Sequence, residues 1–137
     1  MTTTPHSRTS TQFIDRPGGR VAYEVAGHGP LVVLVPGMGD LRQTYRFLAP
    51  SLVESGYRVA SSDLRGHGDS DATFPSYGDE ETAGDILALV DALGGPAIVI
   101  GNSMAAGAAV IAAANEPHQV SGLVLVGPFV RNGGGAL

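Results

Sequence analysis

The chain has 137 residues, 43% of them hydrophobic and 15% charged, the balance of one globular domain or part of one rather than of a disordered segment. All 8 basic residues are Arg, against 13 Asp plus Glu, and the net charge of −5 leaves no basic stripe to neutralise phosphates, so nucleic acid is not an expected partner. Without Lys there is no P-loop and no Walker-type NTPase; without Cys there is no disulfide framework, thiolate nucleophile or Cys-ligated zinc, and the 4 His are too scattered to suggest a metal site.

Residues 1–12 are polar and rich in Thr and Ser, with no apolar signal-peptide core, and read as a flexible N-terminal arm. No later apolar run approaches the length of a membrane span, so a cytoplasmic protein with no membrane partner is expected. Phe13–Arg16 and Arg20–Ala26 read as short strands meeting at Pro17-Gly18-Gly19, an antiparallel edge. Leu31–Val35 is apolar on both faces and β-branched, the signature of a central strand covered on both sides. From about Leu41 to Ser55, Tyr45, Leu48, Leu52 and Val53 recur at helical spacing up to Gly56, with Pro50 expected to kink or break the helix.

Tyr57–Ser61 then reads as a strand, Glu80–Leu93 as an amphipathic helix stopped by Gly94-Gly95, and Ala97–Ile100 as a second buried strand. Ser103–Asn115 is a small-residue helix and Val120–Val126 a last strand. Alternating strands and helices predict the α/β class: a mostly parallel sheet of about six strands with helices on both faces, formed by residues 13–130. Residues 131–137 are too Gly-rich to pack and read as a flexible end or linker.

In such sheets function gathers beyond the carboxyl ends of the strands. After Ile100 the chain runs Gly101-Asn102-Ser103-Met104-Ala105, with a small residue two positions either side of Ser103. A sharp strand-to-helix turn there would expose the hydroxyl at a helix N-terminus and aim backbone N–H groups at the charge that develops when it attacks a carbonyl. Ser103 could instead only cap the helix, but the buried strand before it and the helix after it favour a nucleophile elbow. Met104 N–H and, from the loop Pro36-Gly37-Met38-Gly39-Asp40, Met38 N–H would form the oxyanion hole. A dinucleotide fingerprint in that loop is disfavoured, because Arg42 stands at the third glycine position. A third segment, Asp63-Leu64-Arg65-Gly66-His67-Gly68-Asp69-Ser70, suits an ordered turn network; His67 reads as a turn residue on the loop surface rather than as a catalytic base.

Together these segments, from Arg20 to Gly127, resemble the α/β-hydrolase superfamily. The resemblance implies that Ser103 is the nucleophile, that Met38 and Met104 supply oxyanion N–H groups, and that the Asp63–Ser70 turn is mainly structural. It implies no cofactor. Two departures stand out: Pro36-Gly37 where relatives usually have His-Gly, and Ala105 where Gly is usual in the elbow. Both leave backbone donors available.

A serine hydroxyl needs a base, and the base an orienting acid, which follow the nucleophile in this fold. Beyond Ser103 only Glu116 and His118 carry such groups, and a dozen helical residues at 1.5 Å each set them roughly 18 Å away. The triad acid and His are therefore not expected in this chain, which resembles the N-terminal half of the fold and alone should be inactive. Val120–Val126 would end the sheet as an apolar edge, so a companion C-terminal fragment or a second copy is expected to cover it. The expected activity is cleavage of small-molecule carboxylic esters or related acyl compounds. Ring-fission C–C hydrolysis and non-catalytic binding of a small ligand are the alternatives, while epoxides and halides are disfavoured because relatives acting on them carry a carboxylate at the elbow.

Overall fold

The structure, a computed structural model, describes residues 10–127; the first nine residues of the N-terminal arm and the whole 131–137 end lie outside it. Six strands form one sheet: β1 (Gln12–Arg16), β2 (Gly19–Ala26), β3 (Leu31–Val35), β4 (Arg58–Ser62), β5 (Ala97–Asn102) and β6 (Val120–Val126), in the order β1-β2-β4-β3-β5-β6. The β1–β2 hairpin closes on the Arg16–Gly19 pair, and β2 joins β4 antiparallel. From β4 through β3 and β5 to β6 the sheet is parallel, as the alternation of strands and helices predicted. Among the described residues no helix is long and apolar enough to cross a membrane.

The central strands divide their side chains between two cores with the period of two that a pleated strand imposes. Leu31, Val33 and Val35 of β3, with Ala97 and Val99 of β5, pack under α2 (Asp79–Ala92) and α3 (Met104–Asn115). Val32 and Leu34, with Ile100, face the other way, toward Tyr45 and the half-buried Ala49, Leu52 and Val53. Alanines 105, 108, 109 and 112 are fully buried, which lets α3 lie close to the sheet and α2.

The helix expected over 41–55 is two pieces: a 3-10 turn at Arg42–Tyr45 and α1 at Leu48–Glu54. The break falls before Pro50, which occupies the first turn of α1, where a missing N–H forfeits no intrahelical bond. The 3-10 turn has its own ties, since Arg42 and Tyr45 are both bonded inward to the sheet end. β6 is the outer strand, paired with β5 alone among the described residues, and Leu123, Val124 and Val126 are exposed along it.

Candidate active site

At the carboxyl end of β5 the backbone reverses into α3 through Ser103, at φ 58°, ψ −120°, the only non-glycine residue with positive φ among the described residues. Side-chain-bearing residues rarely adopt this conformation, and it persists only where surroundings enforce it. Here the enforcement is local. Ser103 N–H donates to Val126 O (2.9 Å), continuing the β5–β6 ladder, while Ser103 O accepts from Ala106 N–H (3.0 Å), starting the helix. A residue bound to a strand on one side and a helix on the other has little room to relax.

Close packing supports the same bend. A Cβ at Gly101 would lie 2.5 Å from Ala105 O, so the first turn of α3 crosses the strand end at a distance that no side chain permits. The Ser103 side chain makes no capping hydrogen bond, and the residue is exposed at the carboxyl end of β5. The hydroxyl is thus not used as a cap. Met104 is buried in the α2–α3 core, and its N–H opens the helix.

The loop after β3 comes directly against this elbow: a Cβ at Gly37 would lie 3.2 Å from Ser103 Cβ and 3.3 Å from Asn102 O. Residues 37–40 form a turn closed by Asp40 N–H to Gly37 O (3.0 Å), with Gly39 at φ 88°. Met38 is 63% exposed, so apolar burial does not hold the turn. Neither Met38 N–H nor Met104 N–H finds an acceptor among the described residues. Met38 and Met104 both line one cavity of about 250 Å³, together with His67, Tyr77 and Thr82 among others. A larger cavity, about 470 Å³, lies between α1 and β2–β4, and none of Ser103, Met38 or Met104 lines it.

The Asp63–Ser70 segment is the polar anchor of this end of the sheet. Asp63 is buried and its carboxylate accepts from Arg42 N–H (2.7 Å), from the Arg42 guanidinium and from Asp69 N–H (3.1 Å). Arg42 also reaches Glu24 (2.8 Å) and Asp69 (3.1 Å). Burial works against its charge, but the hydrogen bond to Glu24 and the nearby Asp63 and Asp69 outweigh it and hold the guanidinium above its ordinary range. Ser70 Oγ donates to Asp63 O and accepts from Ala22 N–H, fastening the segment to β2. Beside it Arg65 grips Asp85 of α2 with two hydrogen bonds, of 2.8 and 2.7 Å, and lies over the Phe74 ring.

His67 lies half-buried in the turn, and both ring nitrogens are occupied: Gly39 N–H donates to Nε2 (3.0 Å) and Nδ1 lies 3.1 Å from Arg65 O. Glu116 and His118 follow α3, at the far end of the helix that Ser103 begins. Residues 10–127 thus bring Ser103, Gly37, Met38 and Met104 together and supply no base that touches the serine. Reading the sequence missed the roles of Arg42 and His67. Their partners lie 21 and 28 residues away, and only the fold makes them neighbours.

Comparison with known proteins bears on the same region. The family model described as alpha/beta hydrolase fold matches residues 30–133. Epoxide hydrolase B of Mycobacterium tuberculosis is 34% identical over 109 residues, covering 77% of this chain and 31% of the relative. An esterase from Exiguobacterium antarcticum superposes with a TM-score of 0.81 at 30% identity, over 87% of this chain and 46% of that one. A mutant of an epoxide hydrolase from Vigna radiata gives 0.82 at 25% identity, over 96% and 43%. The chain spans about a third of the length of the mycobacterial relatives it matches. It belongs to the alpha/beta hydrolase fold family.

Proposed function

We propose that this chain carries the nucleophile and the oxyanion-binding groups of a serine hydrolase that cleaves carboxylic esters or related acyl compounds. The observation that carries the reading is Ser103 at φ 58° with its hydroxyl unused and the Gly37 turn packed against it. Ser103 Oγ attacks the acyl carbon as its proton passes to a base, and the carbonyl electron pair moves onto oxygen facing Met38 and Met104 N–H. Collapse of that intermediate expels the alcohol, protonated by the same base, and leaves an acyl-serine for water to cleave. The base and its acid come from polypeptide outside residues 10–127, which also covers the open edge of β6. The greater length of the relatives and the exposed Val124 and Val126 support this.

The relatives named as epoxide hydrolases favour a second reading, and the chemistry of residue 103 weighs against it. A carboxylate that opens an epoxide forms an ester, which water can cleave at its carbonyl. A serine oxygen would form an ether, with no carbonyl to attack. Acyl substrates suit Ser103, because the acyl-serine is itself an ester. Ring-fission C–C hydrolysis can use the same elbow and is separated by substrate.

A fluorophosphonate probe and an aryl ester test the proposal. Ser103 should be labelled, and the ester cleaved, when the polypeptide supplying the base is present, and Ser103→Ala should abolish both. Failure to label in the complete assembly would instead indicate a ligand-binding protein, and turnover of an epoxide by the Ser103→Ala variant would remove the serine mechanism.

A further inference from the structure

The turn that presents Met38 N–H has little of its own to hold it. Met38 is 63% exposed and the space beside Gly39 is open, with no atom within 4 Å of where its Cβ would stand. Apart from the Asp40–Gly37 bond that closes it, one side chain among the described residues bonds to residues 37–40, and that side chain is His67, from the loop after the neighbouring strand β4. The imidazole partners assign its hydrogens. Nε2 accepts from Gly39 N–H and so carries a lone pair; Nδ1 carries the hydrogen and donates it to Arg65 O. Arg65 is itself fixed by Asp85 and by Ser76 O, so the ring stands on a braced backbone.

We propose that His67 is a positioning residue: by accepting from Gly39 N–H it locks the Met38–Gly39 peptide and thereby aims the adjacent Met38 N–H at the oxyanion. This rests on the serine hydrolase reading above. Because its lone pair is spent on Gly39, the ring is unavailable as a base for Ser103. His67 acts on the transition state, where the oxyanion exists, and not on ground-state binding.

The test compares three variants of the protein with its base-supplying polypeptide present. His67→Gln can place an acceptor where Nε2 stands, His67→Asn can place one only near Nδ1, and His67→Phe has none. For an aryl ester, kcat should fall roughly 10- to 100-fold in the Phe and Asn variants with KM within about twofold, and stay within about threefold of the parent in Gln. The Gly39 amide, followed by 15N–1H NMR, should shift and exchange faster in the Phe and Asn variants but not in Gln. Equal kcat in all three variants, or a Gly39 amide unmoved by Phe, would overturn the proposal. If the parent neither labels nor turns over, the hydrolase reading fails, and the Gly39 amide still decides whether His67 holds the turn.

Discussion

At the end of β5 the chain bends because nothing else fits: α3 crosses so close to Gly101 that a methyl group would meet Ala105 O at 2.5 Å, and Ser103 is pinned between a strand bond and a helix bond. At the end of β3 the chain bends with an exposed Met38, an open Gly39, and polar ties to Asp63 and His67 through the residues around it. One loop of the site is held by exclusion and the other by hydrogen bonds. The difference predicts different failures. Substitutions at the elbow should act through crowding and destroy local geometry, whereas substitutions of the polar side chains that brace the β3 loop should act through unsatisfied polar groups.

The largest expected effect is on the polar side. Asp63→Asn preserves shape but removes the charge that faces the buried Arg42, and it leaves at least one donor of the network without an acceptor. Breaking a buried ion pair costs 3–5 kcal/mol, and Glu24 and Asp69 still face the guanidinium, so roughly 3 kcal/mol is expected. Urea denaturation should show it as a lowered midpoint at unchanged slope. A loss below about 1 kcal/mol would mean that the carboxylate is not the anchor of the segment.

Gly101→Ala should follow, at roughly 2 kcal/mol, because the added methyl meets backbone rather than a flexible side chain and α3 must move. Since α3 begins at Ser103, fluorophosphonate labelling should slow with it. Gly37→Ala adds a methyl 3.2 Å from Ser103 Cβ, a contact that a shift of a few tenths of an ångström relieves. Stability should change by less than about 1 kcal/mol, while, on the proposed mechanism, the ester kcat falls roughly tenfold as the Gly37 turn backs away from the serine. The contrast between these two glycines separates crowding of the fold from crowding of the chemistry.

The elbow was legible because its constraint is written in consecutive residues: Gly101 and Ala105 flank Ser103 at fixed spacing, after a run of buried aliphatics. The strands were legible for the same reason, Leu31–Val35 and Val120–Val126 appearing at the expected bounds. The β3 loop was not. Arg42 reads as a helix residue and His67 as a turn residue until the parallel pairing of β3 with β4 brings the loops that follow them together. The break expected at Pro50 falls earlier for the same reason, because Arg42 and Tyr45 are drawn to Asp63 and Val35 by tertiary bonds that helical periodicity does not encode.

Tyr45 offers the mildest test of the polar side. Its buried hydroxyl donates to Val35 O (2.8 Å), where β3 ends and the Gly37 turn follows. Burial, with a smaller contribution from Asp40, pushes its pKa up to about 12 from 10.0. The folded state therefore keeps this proton at a pH where the unfolded chain releases it, so the contribution is full below pH 10 and declines as pH rises toward 12. Tyr45→Phe should cost about 1 kcal/mol near neutral pH, the value of one buried hydrogen bond. The variant should also lose stability less steeply than the parent between pH 10 and 12, and parallel pH profiles would show that the hydroxyl does not hold the end of β3.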